Sequence, residues 1–323
     1  VTTIHDIAKK LGKHPSSVSR ALRGGAGVGP ELREQILATA AAMGYRPNLM
    51  ARHLRTRSSP VIGLVLDHQW NWYSAATADG VQEGARRRGL NVMVWNAASR
   101  EDEAKAVEYF AQLPVAGVIV ASSRLDPAAA LPEAQLPLVA INRMGGPGVR
   151  SILTDDYQGA AAAVAHLVDL GHRQIGYISG PVDWPHSIDR LRGTVDALAK
   201  AGLGLPPDLY GQGDWSRESG RRETRRFLGS RLRPTAIFAA NDEMAAGVYD
   251  EARRLGRSIP GNLSVIGFND HVACEYLDPP LTTVTLPLRE MGLLAVESLF
   301  QKEPPPPPVA GRLIIRHSTA PLP

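Results

Sequence analysis

The sequence predicts an all-α helix-turn-helix domain at the N-terminus, joined to a larger α/β body of two parallel-sheet lobes. Three observations carry that expectation. Residues 1–46 show the apolar periodicity of three short helices, residues from Pro60 onward alternate apolar strands with helical stretches, and charge divides sharply between the two regions. At 323 residues the chain is long enough for two or three domains with cores of their own. No apolar run approaches the roughly 18 residues of a membrane span, so no membrane partner is expected. The polar opening VTTIHDIAKKLGK lacks the apolar h-region of a signal peptide, and the single cysteine, Cys274, points to a reducing, cytoplasmic setting.

The net charge of +4 conceals an asymmetry. Residues 1–59 hold ten Lys/Arg and three acids (Asp6, Glu31, Glu34), whereas the remaining 264 residues hold 26 basic and 29 acidic side chains. A basic head on a slightly acidic body is the electrostatic footprint of nucleic-acid binding. Within the head, Thr3 and Asp6 form a capping-box signature, and Ile4, Ile7, Ala8 and Leu11 make one apolar stripe. Gly12 ends that helix. Pro15 suits the first position of a second helix, whose apolar face is Val18, Ala21 and Leu22. Pro30 opens a third, with Leu32, Ile36, Leu37, Ala40 and Met43 as its stripe and Gly44 as its stop. In a helix-turn-helix the second helix enters the major groove, so Thr3, His14, Pro15, Ser16, Ser17, Ser19 and Arg20 are the candidate DNA contacts. Short hydroxyls allow close approach to phosphate, and Arg20 is suited to a guanine edge.

The segments TIHDIAKKLGKHPSSVSRAL and VGPELREQILATAAAMGYRPNLMARHLRT resemble the head of the lactose-repressor (LacI/GalR) family, without a gap from Thr3 to about Ser59. The resemblance implies a helix-turn-helix domain over 1–46 and a hinge over 47–59 that becomes helical in the DNA-bound dimer. Leu54 would wedge into the minor groove at the operator centre, with Asn48, Ala51 and Arg52 around it. One departure is the pair Lys13 and His14, where the family usually has an apolar residue and then Ser; histidine is a poorer N-cap and is free to meet a phosphate instead.

In the body, VIGLVL (61–66), LNVMVWN (90–96), GVIVAS (117–122) and LVAIN (138–142) read as strands, with helices such as Ala78–Arg88 and Glu101–Gln112 between them. The pattern repeats as IGYIS (175–179), DLYGQGD (208–214), AIFAAND (236–242) and SVIGFND (264–270), giving a second lobe from near Tyr157. Ligands in open α/β sheets bind outside the C-terminal strand ends. Those ends nominate Asp67, Tyr73, Asn142, Arg143, Trp184, His186, Arg190, Trp215, Asn241 and Asn269 as effector-binding residues. Plain alternatives stand beside several of them. Asn241-Asp242 could only cap the next helix, Trp184 could be loop packing, and Arg190 could pair with Asp189.

The stretches DDYQGAAAAVAHLVDLGHRQIGYISG (155–180), AIFAANDEMAAG, SVIGFND and PPLTTVTLPLREMG (279–292) also resemble the effector domain of this family, which is periplasmic-binding-protein-like in fold. That likeness implies an effector-binding and dimerisation domain over 60–323. Its first lobe would be about 60–156 and 287–316, including helix Glu290–Gln301 and strand Arg312–Arg316, and its second about 157–286 and 317–323. It implies that Arg190, Asn241 and Asn269 hydrogen-bond the effector while Tyr73 and Trp215 pack against it. Asn142 and Asn269 stand where many relatives carry Asp, and Leu286 replaces a common Gln. The loss of negative charge suggests an effector less purely polyhydroxyl than a free hexose, with an anionic one as the hypothesis.

The sequence offers only scattered pieces for catalysis: nine histidines, acids near Asp155-Asp156, and Ser179-Gly180 after a strand. A GxSxG elbow, a P-loop, an HExxH motif and paired-Cys metal ligands are all missing from it, so no cofactor or metal is expected. The expected molecule is a sequence-specific transcriptional repressor acting as a homodimer on near-palindromic operator DNA, under control of a small sugar or sugar derivative. The ending LIIRHSTAPLP carries no heptad tail, which favours a dimer over a tetramer.

Overall fold

The computed structural model describes residues 2–22, 24–45, 60–67, 72–121, 131, 135–301, 304 and 306–322. The chain divides into two compact units, Val1–Ser58 and Ser59–Pro323.

The first unit contains helices α1 (Ile4–Leu11), α2 (Pro15–Leu22) and α3 (Pro30–Ala42). The Thr3 hydroxyl accepts from the Asp6 N–H while the Asp6 carboxylate accepts from the Thr3 N–H, closing the capping box. Gly12 ends α1 in the left-handed region at φ 60°, where a side chain would be strained. Ile7, Ala8, Val18, Ala21, Ile36 and Ala40 form the small core. Leu37 departs from the expected stripe and is 47% exposed. Ile36 and Ala40, four residues apart, set the buried line of α3, and the next residue along lies about 100° around the helix from it.

The second unit has two sheets. The first has the order β2-β1-β3-β4-β5, built from β1 (Val61–Asp67), β2 (Asn91–Ala97), β3 (Val118–Ala121), β4 (Leu138–Ile141) and β5 (Arg150–Ile152), all parallel. Helices α4 (Trp72–Arg87) and α5 (Arg100–Ala111) connect its early strands. Helix α4 begins six residues before the expected start because Tyr73, Ser74 and Thr77 are buried in its first turns. The second sheet has the order β11-β10-β9-β8-β6-β7, from β6 (Ile175–Ser179), β7 (Tyr210–Gln212), β8 (Ala236–Ala239), β9 (Ser264–Asn269), β10 (Thr282–Thr285) and β11 (Leu313–Ile314). It is covered by α6 (Asp156–Asp169), α7 (Pro185–Lys200), α8 (Arg217–Gly229) and α9 (Asp242–Arg254). Helix α10 (Leu288–Phe300) lies against α4 in the first lobe.

The last strand corrects an expectation. The segment placed in the first lobe as Arg312–Arg316 instead pairs antiparallel with β10, Thr283 opposite Ile314 and Val284 opposite Leu313, at the edge of the second sheet. The chain therefore returns to the second lobe between Val309, which bridges Thr154, and Leu313. The physical reason is that β10 has a free edge whose backbone groups need partners, and Leu313–Ile314 supplies them.

Candidate functional site

On the head, His14 just before α2 and Ser16 and Arg20 on it are exposed, with Thr3 also exposed and Pro15 and Ser17 half-buried. Ser19 lies beside Val18 and is buried. His14 does serve as a cap of a kind. Its Nδ1 accepts from the Ser16 N–H at 3.3 Å and lies 2.8 Å from the Ser16 hydroxyl, filling the place of the missing serine. Arg33, counted among the ten cations, donates to the Gly25 carbonyl and ties down the loop before α3. Asn48, Ala51, Arg52 and Leu54 lie outside the described residues.

In the body, the nominated residues gather where the strands of both sheets end. Among the described residues, the non-glycine residues with positive φ are Asn142 (56°), Trp215 (70°), Asn269 (118°) and Asp270 (57°). All four sit at or near C-terminal strand ends, after β4, β7 and β9. Strain of this kind persists where surrounding structure holds it, and it clusters at binding sites.

Arg190 is the centre of the cluster. It is buried on α7, its Nε donates to Asp156 Oδ1 at 2.7 Å, and its Nη1 donates to the Ala240 carbonyl. The guanidinium lies 3.7 Å from the Phe268 ring centroid and 5.7 Å from that of Trp215. Trp184 meets Trp215 with ring centroids 5.7 Å apart. Asn241 caps α9 by accepting from the Met244 N–H at 2.8 Å and also donates to the Trp215 carbonyl at 3.0 Å. The cap reading is therefore true of Asn241, and the same side chain also fixes the aromatic wall. Asn269 follows Phe268, and its Oδ1 is buried without a hydrogen-bond partner among the described residues.

The first lobe reaches this cluster through Asn142, whose Oδ1 lies 2.9 Å from the Thr154 hydroxyl oxygen and whose carbonyl lies 2.8 Å from His186 Nε2. On the far side of the ring, His186 Nδ1 is 2.9 Å from Asp156 Oδ2. Trp72, beside the buried Tyr73, meets His271 edge-on at 5.2 Å. Asp67 is buried at the end of β1. Arg143 is buried in an ion pair with Glu103 of α5 at 2.8 Å, so its charge is already matched.

Sequence reasoning did not place Asp156 in the cleft. Burial is the largest influence on its carboxyl and pushes the pKa up, but the Arg190 charge, the His186 contacts and the Thr154 hydrogen bond together hold it well below the usual range. Asp189, the alternative partner considered for Arg190, pairs with Arg192 instead. Asp242, the first residue of α9, is the opposite case. Burial outweighs its hydrogen bonds from Thr283 and the His271 N–H and pushes its pKa to about 7.

The periplasmic binding protein-like domain family matches residues 164–319. The chain is 31% identical to the HTH-type transcriptional regulator AscG of Escherichia coli, over 98% of both proteins, and 32% identical to the HTH-type transcriptional regulator DegA of Bacillus subtilis, over 99% of both. The chain belongs to the LacI/GalR family of transcriptional regulators. Among solved LacI/GalR structures, the Lac repressor dimer bound to operator and an anti-inducer covers 99% of both chains at 25% identity, with a TM-score of 0.84. The CelR–cellobiose complex covers 98% of this chain and all of that one at 28% identity, with a TM-score of 0.72. Membership makes this chain a sequence-specific DNA-binding regulator rather than an enzyme. No helix among the described residues is long and apolar enough to cross a membrane.

Proposed function

We propose that this regulator binds a neutral carbohydrate between its lobes and that the ligand sets its affinity for a near-palindromic operator. The observation that carries this reading is Arg190, held between Asp156, Phe268 and Trp215 with Trp184 beside it. Two of its five N–H donors are used by Asp156 and Ala240. Its remaining N–H donors are of the kind that suits vicinal hydroxyls, and the indole faces suit the C–H side of a sugar ring. The relatives' ligands agree with this class: CelR was solved with cellobiose and an Enterococcus faecium LacI-family regulator with ribose.

The pairing of the cleft's charges argues against the anionic effector suggested by the Asp-to-Asn departures. Both nominated arginines are already matched, Arg143 by Glu103 and Arg190 by Asp156. Neither arginine has surplus charge for an anion.

The remaining parts of the proposal follow the family. The protein is cytoplasmic and works as a homodimer, for which the apolar Met93 and Val94, exposed on edge strand β2, offer contact surface. The head spans 1–46 and the hinge 47–59. Thr3, His14, Pro15, Ser16, Ser17 and Arg20 meet DNA, and Leu54 with Asn48, Ala51 and Arg52 clamps the operator centre. With Nδ1 turned to Ser16, His14 has Nε2 available for a phosphate.

Calorimetry against neutral mono- and disaccharides and their phosphates tests the ligand, followed by gel shift with operator DNA. A neutral sugar should bind, Arg190→Ala should weaken it at least about tenfold, equivalent to about 1.4 kcal/mol, and saturation should change the gel shift. Tight binding of sugar phosphates alone would overturn the neutral reading.

A further inference from the structure

His186 stands between the lobes in a geometry that counts protons. Its Nε2 is 2.8 Å from the Asn142 carbonyl, at the end of β4 in the first lobe. Its Nδ1 is 2.9 Å from Asp156 Oδ2, at the start of α6 in the second. Neither oxygen has a hydrogen to give. A backbone carbonyl offers lone pairs only, and the Asp156 carboxylate is ionised beside Arg190 Nε and already accepts from the Thr154 hydroxyl at 2.6 Å. Both contacts are hydrogen bonds only when the ring carries a proton on each nitrogen. A neutral ring would set one nitrogen lone pair against an oxygen.

We propose that His186 is a proton-dependent strap between the two lobes. The imidazolium ties the Asn142 carbonyl to the Asp156–Arg190 pair, and loss of one proton releases one of the two ends. Among the described residues, the charged groups that hold or adjoin its two contacts are Asp156 from α6, Arg190 one turn along α7, and, next to Asn142 in the chain, Arg143 paired with Glu103 of α5. The ring is largely enclosed, with 12% of the side chain exposed, so the contact is shielded from competing water. Because the strap crosses the cleft read above as the effector site, it makes lobe closure responsive to pH as well as to ligand. That regulatory meaning rests on the effector reading; the strap itself does not.

The test uses the full-length protein without effector. Thermal unfolding of wild type and His186→Gln is compared from about pH 5.5 to about pH 8.5, across the ordinary histidine range. Glutamine presents a single nitrogen and does not titrate. The folded form needs the proton, so the strap contributes fully at the acidic end and fades as pH rises. Wild type should melt a few degrees above the variant at low pH, with the gap closing at high pH. A gap that does not change with pH overturns the proposal. Long-range nitrogen–proton spectra of labelled histidine give a second reading that needs no variant. Two protonated ring nitrogens on His186 at the acidic end support the strap, and one bare nitrogen throughout overturns it. Neither measurement involves a sugar, so a failed ligand screen leaves this result standing, and the converse also holds.

Discussion

Asp242 and Asp156 show how single carboxyl groups in one fold acquire opposite behaviour. Asp242 has no cation among its hydrogen-bond partners, and burial raises its pKa to about 7. Between about pH 4 and that value the folded protein keeps a proton the unfolded chain has lost, so stability falls as pH rises through the window and is level above it. Asp242→Asn should remove that slope. Each tenfold gain in proton affinity on folding is equivalent to about 1.4 kcal/mol. Urea unfolding at pH 8 should therefore find the variant as stable as wild type or more so, with the advantage gone near pH 4. Asp156 is lowered, so its contribution is present above the ordinary carboxylate range and is lost as pH falls through and below it. Its partnership with Arg190 was open to sequence reasoning in part. Adjacent helix residues such as Asp189 and Arg190 point to different faces, while residues three apart meet, as Asp189 and Arg192 do. That argument removes Asp189 from consideration, but choosing Asp156, 34 positions away, requires the fold.

At the scale of elements, most strands were legible because buried parallel strands are short apolar runs between turn signals. Strand β5 (Arg150–Ile152) was not, since it has three residues and only Ile152 is buried. Strand β11 was legible as a strand but not in its placement, because an edge strand takes its partner from wherever an unpaired edge lies. Helix packing hides a different kind of information. Where α4 crosses α10, a Cβ on Gly80 would come 2.1 Å from the Arg289 carbonyl oxygen, a contact with backbone that cannot yield cheaply. Gly80→Ala should therefore cost about 1–3 kcal/mol in chemical unfolding, the range for overpacking a close contact. Gly229→Ala, at the end of α8 with nothing within 4 Å, is the control. It should be neutral or stabilising by up to about 1 kcal/mol through the unfolded chain.

For the whole molecule, the division of charge and the cleft belong to one thermodynamic cycle. If the effector changes operator affinity by some factor, operator must change effector affinity by the same factor. Calorimetric titration of the effector with and without operator DNA should return the ratio found by gel shift. Unequal ratios would mean that the two sites are not linked through one equilibrium. Operator binding should also weaken steeply with salt, since the basic head must displace counterions from phosphate.

The positive-φ residues at the strand ends also bear on how such a regulator changes its ligand over evolutionary time. Asn142, Asn269 and Asp270 occupy backbone that few side chains other than Asn, Asp and Gly accept readily. The chemical vocabulary at those positions is correspondingly narrow. Trp184 at φ −86°, and His186 within α7, are under no such restriction. New ligand specificities should thus arise at the start of α7, while the ends of β4 and β9 supply a fixed grammar of amides and carboxylates around it.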